Sequence, residues 1–289
     1  MALAELGKRV TVAVIAIPIV MAAVFAGGWW LGALLAAASA LGALELYRLA
    51  EARGGRPFRL AGAGLAALFV LVATAVPSLT MAAPLLWAVV LLGAVLLAAG
   101  AIWARGVDGN PLGAVSITLF GAILLGGSLA HGMFLRYLPV PGVAAGSDSA
   151  WTGTVLVAFP LVLTWLSDTG AFFGGRAFGR RKLMPSVSPG KTVVGAVSGL
   201  GCAVVAGALV AWLLRSWLGL GLSLAEGAAG GGLISIVSQV GDLAESLFKR
   251  EARVKDSGRL FPGHGGMLDR VDSLLFAIPA AFWYLSAVL

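Results

Sequence analysis

The chain has 289 residues, 60% of them hydrophobic and only 11% charged, with a formal net charge of +7. Soluble domains carry about 25% charged residues, so this composition excludes a water-soluble fold and indicates a polytopic membrane protein. A lone cysteine, Cys202, excludes an internal disulfide.

The expected fold class is all-α. At about 20 residues per crossing, nine transmembrane helices are read near 10–27, 29–50, 60–77, 81–104, 112–135, 151–173, 192–214, 219–240 and 271–288. The N-terminal stretch has a basic flank and a long apolar run with further spans directly behind it. It therefore reads as a retained first helix rather than a cleaved signal. The first two spans are joined by almost nothing, which suggests a tight helical hairpin. The 41 glycines suit close helix packing in a bilayer. Two regions are expected: a scaffold of about five helices over 1–135, and a catalytic region over 151–289 with cytoplasmic loops at 174–191 and 249–270.

On this topology 18 of the 20 Lys and Arg fall on one side, and only Arg136 and Arg215 on the other. The positive-inside rule puts that side in the cytoplasm, with the N-terminus cytoplasmic and the C-terminus external. The same segregation argues against a nucleic-acid partner. Topology alone accounts for Arg53, Arg56, Arg59 and Arg105. It does not account for the acids mixed among the later basic residues, because acids contribute little to orientation.

Three polar segments stand out. In Gln239–Arg250, the residues Asp242, Glu245, Ser246 and Lys249 recur at i, i+3, i+4 and i+7 and share a helical face. A solvated helix end with a Glu245–Lys249 pair would look similar. Asp242, however, lies a turn inside the apolar boundary, where an acid costs about 2.5–3.5 kcal/mol. In His264–Asp272, glycines precede Asp269 and Asp272, three apart at the start of the last helix. In Ser167–Thr192, Ser167 and Asp168 lie deep in a span, Gly170, Gly174 and Gly175 suit close packing, and Ser188-Pro189 reads as an N-cap with proline at N1. The segment ends Gly-Lys-Thr, as a P-loop does, but Pro185 stands where a P-loop needs its first glycine. Carboxylates for a cation, basic groups for phosphate and glycines for close backbone approach together indicate phosphate chemistry with a divalent metal.

These residues closely resemble the phosphatidate cytidylyltransferase (CDP-diacylglycerol synthase) family, whose signature runs S-x-x-K-R-x4-K-D-x-G-x3-P-G-H-G-G-x-x-D-R-x-D. The matching positions are Ser246, Lys249, Arg250, Lys255, Asp256, Gly258, Pro262, Gly263, His264, Gly265, Gly266, Asp269, Arg270 and Asp272. Gln239–Asp242, Ser167-Asp168, Gly175-Arg176 and Ser188-Pro189-x-Lys191-Thr192 also look like the family. The likeness covers 167–273. The chain departs from the pattern at Val194, where relatives usually carry glutamate, and at Gly190, where they often carry lysine.

The resemblance implies transfer of CMP from CTP to phosphatidate, giving CDP-diacylglycerol and pyrophosphate, with Mg²⁺ and room for a second cation. It implies metal ligation by Asp242, Asp269, Asp272 and Asp168, and catalytic roles for Asp242, Asp269, Lys249, Asp272 and Arg270. Substrate contacts are expected from Ser246, Arg250, Lys255, Asp256, His264, Gly265, Gly266, Arg176, Ser188, Lys191 and Thr192. CTP, phosphatidate and membrane lipids are the expected partners, and a homodimer is compatible with the reading. The expected location is the bacterial cell (inner) membrane, with the site facing the cytoplasm. The alternatives are a CTP-dependent lipid kinase and, in another class, an ion-coupled transporter.

Overall fold

The computed structural model describes residue 14 and residues 16–142, 147–261, 263 and 265–289. Its helices are α1 (Ala16–Ala26), α2 (Gly28–Glu51), α3 (Arg59–Ala75), α4 (Leu79–Ala104), α5 (Pro111–Ala122), α6 (Ser128–Arg136), α7 (Ser147–Phe178), α8 (Val193–Leu218), α9 (Leu224–Glu251), α10 (Leu268–Val271) and α11 (Leu274–Val288). The described residues of each expected span lie largely on helix, while part of the first span, residues 10–13 and 15, lies outside the described residues. Six helical segments among the described residues are long and apolar enough to cross a membrane: Gly28–Glu51, Leu79–Ala104, Pro111–Arg136, Ala150–Phe178, Val193–Leu218 and Leu268–Val288. The described part of α1 and all of α3 are shorter, and Glu226, Asp242, Glu245 and Lys249 dilute the apolar character of α9. Large apolar side chains lie outward, among them Leu96, Trp103 and Trp217. Such a surface suits lipid and not water.

A two-stranded antiparallel hairpin departs from a strictly all-α fold. Strand β1 (Lys182–Met184) pairs with β2 (Ser188–Thr192), with Lys182 opposite Thr192 and Met184 opposite Ser188. The expected N-cap at Ser188 is thereby corrected. Ser188 and Pro189 are extended, as proline at a sheet edge can be, and α8 starts four residues later than that cap would place it. Its true N-cap is Thr192, whose side chain accepts from Gly195 N at 3.0 Å.

The chain divides into two compact units. The first comprises the described residues of Met1–Phe134 together with Phe248–Val271. Here glycines let helices close on bulky partners: added Cβ atoms at Gly62 and Gly121 would meet the ring of Tyr47, and one at Gly126 would meet the Ala66 backbone. Gly126 lies in a single π turn, Ile123–Gly127, that joins α5 to α6. Tyr47 is fully buried and donates its hydroxyl to the Thr118 carbonyl at 2.7 Å. Asn110, in the left-handed region at φ 49°, caps α5 ahead of Pro111.

The second unit comprises Leu135–Leu247 and Asp272–Leu289. Helices α7 and α8 meet through Gly170 against Cys202 and Gly174 against Ser198, so the glycine spacing in α7 serves close packing as expected. Helices α8 and α9 meet backbone to backbone at Gly207, Gly227 and Gly231.

Candidate active site

In the second unit the hairpin, α7 and α9 gather polar groups. Lys191 extends from β2 and places Nζ 2.6 Å from Asp242 Oδ2 on α9, forming an ion pair. Both side chains are partly buried. Asp168 on α7 lies within electrostatic reach of Asp242 and Lys191. Two carboxylates and one ammonium thus converge. Ser246 lies 3.4 Å from Asp242 Oδ1, one turn further along α9.

Close packing holds this cluster. Ser167 Oγ and Ser235 Oγ are 2.7 Å apart, and Gln239 donates to Ser235 Oγ at 3.0 Å and to the Ala196 carbonyl at 3.3 Å. This polar ladder ties α7, α8 and α9 together at the level where the acids begin. Thr192 is buried, and an added Cβ at Gly175 would come within 2.9 Å of its hydroxyl. Thr192 therefore caps and packs α8. Ser188 is half-buried, and Arg176, in the last turn of α7, is exposed. Asp272 Oδ1 accepts from Ser273 N at 2.6 Å, just ahead of α11.

In the first unit a second cluster forms around Asp269. Lys249 Nζ donates to Asp269 Oδ1 at 2.7 Å, and the two side chains are only 14% and 6% exposed. Asp269 Oδ2 accepts from Ser257 N at 2.9 Å and Gly266 N at 2.8 Å, and lies 2.8 Å from Ser257 Oγ. The carboxylate thus holds Ser257 and Gly266 together. Gly265 makes this possible. Its φ is +82°, and an added Cβ would press on the Asp269 carboxylate. Phe261 and Gly265 form an antiparallel bridge that narrows the loop.

Glu45 was not expected at this site. It is 5% exposed, its Oε2 lies 2.8 Å from Ser257 Oγ, whose one proton serves either Glu45 or Asp269, and it accepts from Met267 N at 3.0 Å and Leu268 N at 2.9 Å. Added Cβ atoms at Gly258 and Gly266 would strike its carboxylate. An acid inside an otherwise apolar helix was the available signal.

Arg250 and Arg270 are exposed, and Arg250 reaches the Val254 carbonyl at 3.4 Å. Lys255 and Asp256 are exposed and line a cavity of about 590 Å³. His264 and Pro262 lie outside the described residues. Among the described residues, no group of three or more His, Cys, Asp or Glu is placed to hold a metal ion.

Six long apolar helices among the described residues indicate a helical membrane protein, and two acid–lysine clusters lie within its two units. A model of the cytidylyltransferase family matches residues 7–288. Phosphatidate cytidylyltransferase of Synechocystis sp. is 34% identical over 290 residues, covering 98% of this chain and 97% of that one. The protein YnbB of Escherichia coli is 36% identical over 198 residues, 68% of this chain and 61% of that one. Phosphatidate cytidylyltransferase of Brucella suis is 49% identical over 133 residues, 46% of this chain and 47% of that one. The chain belongs to the cytidylyltransferase family, and so to the nucleotidyltransferases.

Proposed function

We propose that this protein transfers CMP from CTP to phosphatidate. The observation that carries the reading is the likeness to the Synechocystis enzyme along nearly the whole of both chains. A phosphate oxygen of phosphatidate forms a bond to the α-phosphorus of CTP, the bond from that phosphorus to the bridging oxygen breaks, and pyrophosphate leaves. The nucleophile is already an anion, so no strong base is required. The barrier lies in bringing two polyanions together, which calls for fixed cations and alignment. Lys191 and Lys249 suit this task, because Asp242 and Asp269 hold their ammonium groups in place.

The donor set fits magnesium, which takes one or two carboxylates and completes its shell with water and substrate phosphate oxygens. Asp168 and Asp242 would hold the ion, at a point where Lys191 already brings positive charge to a carboxylate. When bound, the ion would neutralise phosphate charge and polarise the reacting phosphoryl group. Asp269 has both oxygens in hydrogen bonds within its own unit and serves as the anchor of Lys249 and of the glycine loop.

Nine spans, a cytoplasmic N-terminus and site, and an external C-terminus are proposed from the basic-residue partition. A reporter fused after Leu289 should read as external, and a cytoplasmic signal would remove that orientation. The activity is tested on purified protein with CTP, phosphatidate and Mg²⁺. Pyrophosphate release should require both substrates. Release of CDP with no pyrophosphate would replace this reaction by phosphoryl transfer.

A further inference from the structure

We propose that Arg48 and Arg259 seat the phosphate monoester of a single phospholipid, and that Leu41, Leu44 and Leu260 receive the start of its acyl chain. The proposal rests on the reading of phosphatidate as substrate and locates its binding slot. All of these residues belong to the first unit.

Two cavities lie side by side against α2. The smaller, about 260 Å³, is lined by Leu41, Leu44, Glu45, Arg48, Arg259 and Leu260. The larger, about 590 Å³, is lined by Arg48, Val254, Lys255, Asp256, Ser257, Gly258 and Arg259. They share Arg48 and Arg259. The larger falls within the range of small-molecule sites, about 300–1,000 Å³.

Leu41, Leu44, Glu45 and Arg48 stand at i, i+3, i+4 and i+7, on one face of α2. With a rise of about 1.5 Å per residue, that face passes from leucine to guanidinium over roughly 10 Å. α2 is long and apolar enough to cross a membrane, and Arg48 lies in its last turn. An acyl chain followed by a phosphate has the same polarity profile along the same direction.

The charge balance favours an anion. Arg48, Lys255 and Arg259 face the larger cavity together with one acid, Asp256. Among the described residues none of these three cations is ion-paired. Glu45 does not cancel them, because its carboxylate is turned onto Ser257 Oγ and the Met267 and Leu268 amides. Two arginine forks match a phosphate monoester, whose terminal oxygens are open to bidentate pairing. A phosphodiester headgroup offers fewer free oxygens and less charge. A nucleotide would need polar seats for ribose and base, where the smaller cavity offers three leucines.

The test uses the full chain in detergent micelles, with Arg48→Gln, Arg259→Gln and Arg48→Lys. Both arginines are exposed, so the substitutions leave the packing intact. KM is measured separately for phosphatidate, as its mole fraction in the micelle, and for CTP. Each glutamine variant should raise KM for phosphatidate about tenfold or more, as expected for loss of a charge-assisted hydrogen bond. KM for CTP should stay unmoved, and Arg48→Lys should fall between. Native mass spectrometry gives a readout independent of turnover: the unaltered chain should retain phosphatidate over phosphatidylcholine, and Arg48→Gln should lose that preference. A rise in KM for CTP alone would assign the cavity to the nucleotide and overturn the proposal. Equal lipid retention by the unaltered chain and Arg48→Gln would also overturn it. If the unaltered chain prefers phosphatidate but shows no cytidylyl transfer, the slot stands and the proposed reaction falls.

Discussion

Glu45 Oε2 and Ser257 Oγ lie 2.8 Å apart although 212 positions separate them in the chain. The same hydroxyl lies 2.8 Å from Asp269 Oδ2, so one serine is shared by two buried carboxylates. Glu45 also fixes the amides of Met267 and Leu268, immediately before Asp269. It is a positioning residue for Asp269 and, through it, for Lys249.

Glu45→Ala should therefore lower both stability and turnover. Each backbone amide left buried without a partner costs about 1–3 kcal/mol. Glu45→Gln keeps one acceptor oxygen but turns an NH₂ toward amide donors, so it should fall between. Thermal unfolding and kcat in matched detergent check this. KM for CTP should move little, because Glu45 acts through the loop. Unchanged kcat in both variants would reduce Glu45 to a packing residue.

Lys249 and Arg56 separate substrate binding from topology. Lys249 is held against Asp269 at 2.7 Å and largely buried. Arg56 is exposed, and its backbone carbonyl accepts from Arg105 Nε at 3.1 Å. Lys249→Ala should lower kcat/KM by about tenfold or more, in line with about 1.5–3 kcal/mol for a charged hydrogen bond. Arg56→Ala should leave kcat/KM within about twofold, because the neighbouring arginines preserve orientation. Equal losses in the two variants would show Lys249 to be an ordinary charge of that loop.

Most members of the two clusters were legible as candidates. Glycines beside acids and lysines carried the expectation of phosphate chemistry, and the structure gathers Asp168, Lys191 and Asp242 in one unit and Lys249 with Asp269 in the other. The hairpin was not legible, because Ser188-Pro189 has the local chemistry of a helix cap. What decides its conformation is pairing with Lys182–Met184, a tertiary choice. Glu45 was hidden for a related reason. Its partners lie more than 200 positions away, and no spacing rule reaches that far.

Thr192 as the cap of α8 carries its own consequence. Thr192→Ala should destabilise by about 1 kcal/mol and Thr192→Ser should be close to neutral, since the hydroxyl accepts from Gly195 N. Val194 stands in the first turn, where an acid is favourable by about 0.3–1 kcal/mol. Val194→Glu should thus be tolerated, as judged by expression and thermal unfolding. Loss of detectable folded Val194→Glu protein would show that this turn is packed differently.

Asp242 is the residue that tests the proposed cation. Asp242→Asn should cut turnover by about tenfold or more, because a charge facing a metal contributes several kcal/mol, and should raise the Mg²⁺ concentration needed for half-maximal rate. Titration of Mg²⁺ in the variant checks both. An unchanged Mg²⁺ dependence would take Asp242 out of the metal site.

The most direct measurement follows the label. The purified chain is incubated with phosphatidate and Mg²⁺, once with CTP labelled at the α-phosphorus and once with CTP labelled at the γ-phosphorus. Cytidylyl transfer puts the α label, and not the γ label, into the lipid phase. A γ label in the lipid, or no lipid label from either nucleotide, would contradict it.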